Sequence, residues 1–390
     1  MLEPGETVEH VLRDTLRDGT LPGVVAAVVG RDGIRDIAAV GRMRADAEPP
    51  AGADTMFRLM SLTKALTSVG ALQLVEQGRL GLDTPVADVL PAFGRLQVLD
   101  GFDGETPVLR PPRGAATIGQ LLSHTSGLAY AFAAPDLLRY LEVTGTPDAI
   151  TGRRDALSLP LVADPGTAWN YGVSTDWLGW AIEAVSGQDL PSYLRDHVLE
   201  PLGMRDTTFA PTAQQRGRMM ALHARRPDGG LAVVDADPLP ADPEFFSGGH
   251  GAYGTVPDYA RLLAALLGGG ELDGARILRP ETVDLAFSDQ LGGLPLPAVM
   301  RSTMPELAND VPAPPYRRGW GLGFHLILED VPGMRRAGTG DWSGLMNCFY
   351  WVDRRAGVAG LWCTQLLPFF DAEVAVAIAR FERSVYRRLS

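Results

Sequence analysis

The first residues in the chain that could do chemistry together are a serine and a lysine three positions apart. Ser61 and Lys64 stand in the segment Met60-Ser61-Leu62-Thr63-Lys64. On a helix, this spacing places both side chains on one face, about one turn apart, where they can share a proton. A serine hydroxyl attacks well only when a neighbouring base takes its proton. The pair therefore predicts Ser61 as a nucleophile and Lys64 as its general base.

Lys64 is the single lysine of the sequence, so 34 of the 35 basic residues are arginines. A guanidinium stays protonated and cannot accept a proton, whereas an amine can do so where burial or a positive potential lowers its pKa. A helix N-terminus at Ser61 would supply that potential and would also stabilise an oxyanion. A lone lysine beside such a serine favours a need for a deprotonatable amine. The alternative is that one lysine survived a composition bias.

A second candidate is Tyr171, which follows Asp164-Pro165-Gly166 and precedes an amphipathic helical pattern. A phenol at this place could hold and deliver the proton that Lys64 manages, or act as a base where cations lower its pKa. The alternative is an aromatic plug at the start of a helix. The residue types alone leave both interpretations open.

A third candidate is the segment 337–345, Ala-Gly-Thr-Gly-Asp-Trp-Ser-Gly-Leu. Its small residues would let a strand edge pass close to a substrate. A backbone N–H from this segment, that of Leu345, could then complete an oxyanion hole with the N–H of Ser61. Without partners the segment would be only a turn.

Other residues imitate catalytic motifs. Segment 172–176 resembles a Gly-x-Ser-x-Gly nucleophile elbow but ends in aspartate and follows no buried strand, so we expect Ser174 to be a helix N-cap. His124 invites a Ser-His-Asp triad. It follows a short helical pattern, which favours a structural role. Among the remaining histidines only His250, in a glycine-rich segment, is placed to approach the site.

The elements around these residues indicate one discontinuous α/β domain with a helical insertion. Segments 23–29 and 34–40 form an apolar hairpin, and strand-like runs recur at 319–328, 344–352 and 358–365. Strands at both ends of the chain imply that they share an antiparallel sheet. We expect residues 1–60 and 245–390 to form this sheet domain. Residues 61–244 would be a mostly helical insertion that carries Ser61, Lys64 and Tyr171.

The composition limits the classes of binding partner that the chain can have. A net charge of −12 and a pI near 5.0 argue against nucleic acid and anionic lipid surfaces. No stretch reaches the roughly 20 apolar residues of a membrane span. Met1 to Glu6 lacks a basic signal segment, so we expect a cytoplasmic chain. The two cysteines, Cys348 and Cys363, have no metal-binding spacing, and neither a metal nor an organic cofactor is implied; the oligomeric state stays open.

With these motifs in this order, the chain resembles class C β-lactamase-like serine hydrolases, most closely the family VIII carboxylesterases and related statin-type acyltransferases. Further matching segments are 57–59, 81–86, 121–128, 201–204 and 247–254, so the resemblance covers nearly the whole length. It implies a β-lactamase/penicillin-binding-protein-like fold. It also implies acyl transfer through Ser61, with Lys64 and Tyr171 as coupled base and acid and with Ser61 and Leu345 as the oxyanion hole.

The departures from the β-lactamase pattern are informative. The pattern Tyr-x-Asn is here Tyr171-Gly172-Val173, and Lys-Thr-Gly is Trp342-Ser343-Gly344. The amide and the cation that would hold a β-lactam are therefore missing, a loss of about 1.5–3 kcal/mol for each charged hydrogen bond. We expect an apolar pocket for a small-molecule ester. Its candidate substrate-binding residues are Tyr130, Phe132, Trp169, Val173, Tyr253, Trp342, Ser343 and Gly344.

The sequence thus predicts a serine carboxylesterase. An acyltransferase that passes the acyl group to an alcohol or amine would use the same residues, so the two activities stay unseparated. An amidase, or a β-lactamase or D-peptidase with weak β-lactam activity, is a second alternative. A penicillin-binding sensor is disfavoured because the carboxylate-binding cation is absent.

Overall fold

The computed structural model describes residues 7–16 and 19–389. The expectation about Met1 to Glu6 lies outside these residues. The α-helices are α1 Val8–Thr15, α2 Thr63–Glu76, α3 Val86–Val89, α4 Ile118–Leu122, α5 Pro135–Thr144, α6 Ser174–Ser186, α7 Leu190–Leu194, α8 Ala213–Arg216, α9 Val256–Leu267, α10 Pro280–Ala286 and α11 Ala372–Arg387. Short 3₁₀ turns span Met60–Leu62, Phe93–Arg95, Ala131–Ala133, Ala149–Thr151 and Arg154–Leu157, and a π-helical turn spans Arg195–Leu199.

The strands are β1 Gly23–Gly30, β2 Gly33–Gly41, β3 Met56–Arg58, β4 Val98–Asp103, β5 Thr106–Arg110, β6 Leu222–Arg225, β7 Leu231–Val234, β8 Tyr253–Thr255, β9 Glu271–Leu272, β10 Ala275–Arg276, β11 Val299–Met300, β12 Val311–Pro312, β13 Arg318–Trp320, β14 His325–Ile327, β15 Gly340–Gly344, β16 Cys348–Asp353, β17 Val358–Cys363 and β18 Leu366–Leu367. Seven of them form an antiparallel sheet in the order β13-β14-β15-β16-β17-β1-β2. The predicted sheet shared by the two chain ends is therefore confirmed.

Helices cover both faces of this sheet. Strand β1 is buried along its whole length because its alternating side chains serve two cores. Val25, Ala27 and Val29 pack with α2 and α9, whereas alternate residues on the opposite face pack with α1 and α11. The result is a three-layer arrangement in which α9 lies against one face of the sheet and α1 and α11 lie against the other.

Two predicted strand runs are wrong in detail, because each contains a reversal. Run 319–328 is the pair β13 and β14, joined at Gly323, whose φ of +95° suits glycine. Run 344–352 is the end of β15, a turn and the start of β16. Asn347, at φ +63°, closes this turn by donating its N–H to the Gly344 carbonyl at 2.9 Å. Segment 340–344, predicted to precede a strand, is itself a strand.

Helix α2 also differs from its predicted pattern. The helical spacing of the apolar residues from Leu62 to Val75 predicts a single apolar face, but every residue from Thr63 to Leu74 is buried. The helix packs against α6 and α7, and its apolar side chains belong to the same large core as the inner face of β1. A helix covered on all sides belongs to the core, so Lys64 lies in the interior of the molecule.

Between α2 and β8 the chain is mainly helical, with two small β-ribbons formed by β4–β5 and β6–β7. The division of domains at residues 60 and 245 stays a prediction. In the described part of the chain, no helix has the length and apolar character needed to cross a membrane.

Candidate active site

Ser61 lies in the 3₁₀ turn Met60–Leu62, directly before α2. Strand β3 leads into this turn and pairs with β8, which ties the turn to the segment that follows Gly249. Met60 has a φ of +49°, a backbone conformation that is uncommon for a residue with a side chain. Such strained positions concentrate at functional sites, where the surrounding structure holds them. This turn sets the direction of the Ser61 hydroxyl.

Lys64 is 2% exposed and its ammonium group reaches three oxygen atoms. Nζ lies 3.2 Å from Ser61 Oγ, 3.0 Å from Tyr130 Oη and 2.9 Å from the Gly249 carbonyl oxygen. Three N–H donors meet three acceptors, so the charged form is fully hydrogen-bonded. If Nζ instead gives up a proton, the Ser61 hydroxyl is in position to donate to it.

Tyr171 contacts the same serine oxygen. Its hydroxyl donates to Ser61 Oγ at 2.6 Å and accepts the Trp342 Nε1–H at 3.1 Å. The Lys64 Nζ lies 4.8 Å from the centre of the Tyr171 ring, within the range of a cation–π interaction. The structure therefore brings together Ser61, Lys64 and Tyr171. It also gives Trp342 a contact that the sequence did not predict, a hydrogen bond to the phenol.

Tyr130 was predicted only as part of an apolar pocket, and its polar contact was missed. Its hydroxyl is the second oxygen acceptor of Lys64, and its ring stacks on Phe132 at 5.3 Å. Burial raises the pKa of Tyr130 well above its usual value, and the nearby Asp176 carboxylate raises it further. The phenol is therefore neutral at neutral pH. Nothing in the local sequence around Tyr130 distinguishes it from an ordinary core tyrosine.

The third acceptor of Lys64, the Gly249 carbonyl, is held by a buried carboxylate. Asp176 Oδ1 accepts the Gly249 N–H at 3.1 Å and the Ser247 hydroxyl. The neighbouring Gly248 carbonyl accepts the Thr67 hydroxyl of α2 at 2.8 Å. These bonds fix the glycine-rich segment against α2, so the carbonyl has a set direction towards Lys64.

The segment around Leu345 lies where the sequence placed it. Strand β15 passes so close to the Ser61 turn that a Cβ at Gly344 would lie 2.5 Å from the Leu59 carbonyl oxygen. Within residues 7–16 and 19–389, the Leu345 N–H has no protein acceptor. A free N–H beside the nucleophile suits an oxyanion hole, and that role stays a prediction.

A cavity of about 310 Å³ opens in front of Ser61. Its wall is mainly apolar and includes Met60, Phe132, Met300, Met304, Leu307 and Phe369. Of the predicted pocket residues, Tyr130, Phe132, Trp342 and Ser343 lie on this wall, together with Ser61, Tyr171 and Leu345. Met300 and Met304 belong to a strap, residues 298–313, which lies within the loop of about residues 291–315 that we expect to shape the pocket but whose fold the sequence leaves open. The strap is tied to the Phe132 carbonyl by the Thr303 N–H at 2.8 Å.

Four predicted pocket residues lie elsewhere, and this corrects the expectation that they form the wall. Trp169 is stacked behind Tyr171 at 6.3 Å, and Val173 is fully buried before α6. Tyr253 faces a smaller neighbouring cavity, and Gly344, the last residue of β15, packs against the Ser61 turn. Trp169 and Val173 are close to Tyr171 in sequence, Gly344 is close to Trp342, and Tyr253 ends the glycine-rich segment near His250, but strand and helix geometry directs all four away from the cavity.

The residues that imitate catalytic motifs have other contacts. His124 is 1% exposed, lies 5.3 Å from the Tyr171 ring and has a pKa well below its usual value because of burial. No hydrogen bond joins it to Ser61 among the described residues. The prediction of Ser174 as an N-cap is wrong. Helix α6 begins at Ser174, and its hydroxyl bonds the Ser126 hydroxyl at 2.9 Å instead.

In the described part of the chain, no cluster of three or more His, Cys, Asp and Glu side chains could hold a metal ion. The groups around Ser61 are its own hydroxyl, an amine and a phenol in hydrogen-bond contact with it, and the Leu345 backbone N–H. This set can take a proton from Ser61, and it can return that proton to a leaving group.

Comparisons with known proteins agree with this geometry. Residues 8–382 match the family model described as Beta-lactamase. The chain is 35% identical to monacolin J acid methylbutanoyltransferase of Aspergillus terreus, over 98% of this chain and 96% of that protein. It is 31% identical to lovastatin esterase of Penicillium rubens, over 87% of each chain.

Among solved structures, the unliganded simvastatin synthase LovD from Aspergillus terreus superposes with a TM-score of 0.85 at 31% identity. The match covers 100% of this chain and 99% of that one. The fold is thus the β-lactamase/penicillin-binding-protein-like fold that the resemblance implied, and its relatives include statin acyltransferases. The matched family model spans almost every described residue, and this chain belongs to the β-lactamase family of serine hydrolases and acyltransferases.

Proposed function

We propose that the protein cleaves apolar carboxylic esters through an acyl-enzyme on Ser61. The observation that carries the proposal is the position of Ser61 Oγ. It contacts the Lys64 amine and the Tyr171 phenol on one side and opens onto an apolar cavity on the other. A nucleophile with two coupled proton carriers next to an apolar cavity suits a neutral ester.

In the proposed reaction, Ser61 Oγ attacks the ester carbonyl as its proton passes to the Lys64–Tyr171 pair. The N–H groups of Ser61 and Leu345 stabilise the oxyanion of the tetrahedral intermediate. The intermediate collapses, the C–O bond to the alcohol breaks, and the pair returns the proton to the departing oxygen. Water then attacks the acyl-enzyme through the same steps. Its proton passes to the Lys64–Tyr171 pair, the ester bond to Ser61 breaks, and the pair returns the proton to Ser61 Oγ. The acid is released and the Ser61 hydroxyl is restored.

The cavity also supports a preference for uncharged substrates. Where β-lactamases have a lysine, Trp342 donates its Nε1–H to Tyr171 and leaves no cation for a substrate carboxylate. Arg301 lines the cavity, but its side chain is 78% exposed and pairs with Asp310 at 3.2 Å. Carboxylate-bearing substrates such as β-lactams are therefore disfavoured. The Ser-x-x-Lys pair with Trp342-Ser343-Gly344 supports placement with the family VIII carboxylesterases.

A second candidate function is acyl transfer to an alcohol acceptor. It is favoured by relatives at 31–35% identity that are named acyltransferases, and by the apolar character of the cavity. Water binds weakly to an apolar wall, whereas an apolar alcohol gains from burial there. Hydrolysis and transfer share the acyl-enzyme, so they differ only in what attacks it.

The test is incubation with p-nitrophenyl butyrate, followed by intact-mass measurement and product analysis. We expect a butyryl adduct that is absent in Ser61→Ala and present in Ser158→Ala, a matched change at an exposed serine. Without an adduct or turnover in the wild type, the proposal fails. Added apolar alcohols then separate the two functions. Butyrate as the main product at millimolar alcohol supports the esterase, and butyryl ester as the main product supports the acyltransferase.

A further inference from the structure

Of the three buried histidines in the described residues, His124, His223 and His250, it is His250 that lies on the wall of the Ser61 cavity, and the proposed reaction does not use it. It is 7% exposed and lies on the wall of the Ser61 cavity, where it also borders a smaller cavity lined by Phe209, Leu239 and Phe245. Its backbone follows Gly249, the residue whose carbonyl accepts from Lys64. His250 is thus a polar side chain in a mainly apolar wall, next to the segment that holds Lys64.

The hydrogen bonds of Ser247 determine which nitrogen of His250 carries the proton. Ser247 has one hydroxyl proton and donates it to the Asp176 carboxylate, which can only accept. Ser247 Oγ then accepts the His250 backbone N–H at 3.0 Å and contacts His250 Nδ1 at 2.8 Å. Nδ1 must therefore be the donor. Because burial lowers the pKa of His250, the ring is neutral and its Nε2 carries a lone pair.

In the described part of the chain, this Nε2 accepts no hydrogen bond, and it is not among the atoms sealed from solvent. A second acceptor lies on the same wall. Asp148 accepts the Ile150 N–H at 3.0 Å through Oδ1, so Oδ2 is available. An imidazole lone pair and a carboxylate both seek donors and both disfavour a substrate carboxylate.

We propose that His250 Nε2 binds a hydroxyl group carried by the substrate, so that the enzyme selects hydroxylated over plain apolar esters. The inference rests on the proposed function, because it names a substrate feature for the same cavity. In a mainly apolar wall, the His250 Nε2 and the Asp148 carboxylate are acceptors that can orient a substrate whose only donor is a hydroxyl. Sites built to hydrogen-bond a substrate hydroxyl discriminate against the analogue without it, since their polar atom is then left unpaired.

The experiment compares matched esters with and without a hydroxyl. One series is p-nitrophenyl hexanoate with its 2-, 3- and 6-hydroxy derivatives, and the other is hexyl butyrate with 6-hydroxyhexyl butyrate. We expect at least one hydroxylated member to exceed its parent in kcat/KM by about 10-fold, the value of one well-placed hydrogen bond. His250→Leu should abolish this ratio. His250→Gln, which can present an amide oxygen, should keep part of it, and His197→Gln, at an exposed histidine, should keep all of it.

The proposal is overturned if no hydroxylated member is preferred, or if the preference survives His250→Leu. Binding to Ser61→Ala, followed by tryptophan fluorescence, separates this failure from failure of the proposed function. Tighter binding of the hydroxylated ester that is lost in Ser61→Ala/His250→Leu supports the hydroxyl site even if the wild type turns over neither ester. Equal binding of both esters, with normal Ser61-dependent turnover, rejects the hydroxyl site and leaves the esterase proposal standing.

Discussion

Two cations of this protein have contrasting partners: Lys64, which is buried, and Arg335, whose side chain is 14% exposed. Arg335 donates to both carboxylate oxygens of Glu382 at 2.7 and 2.8 Å and to Asp341, which also contacts His325 at 2.7 Å. Lys64 has no carboxylate within salt-bridge distance among the described residues. It is held by a hydroxyl, a phenol and a carbonyl.

This difference fits a structural role for Arg335 and the proposed proton-transfer role for Lys64. The carboxylates around Arg335 raise the pKa of an already strong base, so its proton is fixed. The oxygens around Lys64 are uncharged. They accept hydrogen bonds from the ammonium group without the negative charge that would hold its proton in place, and the Ser61 hydroxyl can donate a hydrogen bond as well as accept one. A cation surrounded by opposite charge stabilises the fold. A cation surrounded by neutral oxygens beside a cavity is available to exchange a proton.

The largest expected effect comes from Lys64→Arg, which keeps the charge and removes the base. We expect kcat/KM on p-nitrophenyl butyrate to fall about 10³-fold, because general base catalysis contributes a factor of this size. Stopped-assay kinetics measure the change in kcat/KM, and a thermal melt shows whether the variant is still folded. Near-native rates in Lys64→Arg, with activity lost in His124→Ala, would contradict the assignment of Lys64.

The second effect is on stability, at the other cation. Arg335→Met leaves Glu382 without its partner, and breaking a buried ion pair costs about 3 kcal/mol or more. Urea denaturation should show this loss in the free energy of unfolding. The kcat of the folded fraction, titrated by its acyl-enzyme, should stay near that of the wild type. A large fall in kcat with unchanged stability would overturn the distinction between the two cations.

A smaller effect should follow from removing one acceptor of Lys64. In Tyr130→Phe the amine loses a hydrogen bond, and we expect kcat/KM to fall by about 10-fold with little change in melting temperature. Tyr193→Phe is the matched control, since the buried Tyr193 hydroxyl has no partner among the described residues. Equal effects of the two changes would show that Tyr130 only fills space.

The smallest effect concerns a carboxylate outside the site. Bidentate hydrogen bonds from Arg110, with the Arg113 N–H, lower the pKa of Asp164 from 3.8 to about 2. A depressed carboxyl pKa stabilises the fold above about pH 4, and this stabilisation is lost as the pH falls towards 2. Melting temperatures should therefore show Asp164→Asn below the wild type at pH 7, with the gap closing towards pH 2. A difference in melting temperature that stays constant with pH would show that the lowered pKa of Asp164 is not the source of this stability.

Much of the architecture followed from local patterns. The hairpin of β1 and β2, helices α4, α6, α9 and α11 and the sheet shared by both chain ends all have periodicities or turn residues that a reader of the sequence can recognise. The chain reversals at Gly323 and Asn347 were not predicted, because at each of them a single residue with positive φ interrupts an otherwise continuous apolar run. The full burial of α2 escaped because enclosure depends on elements distant in sequence.

By itself, the sequence identified Ser61 as the candidate nucleophile and Lys64 as its candidate base, because the two residues are one helical turn apart and Lys64 is the single lysine. It also pointed to Tyr171 through the resemblance to a family. Only the tertiary structure decided what surrounds the amine. Tyr130, Gly249 and Asp176 come from segments 66 or more residues away from Lys64, and their contacts with one another depend on packing. Local spacing fixes contacts within one element, whereas contacts between elements follow from how the whole core closes.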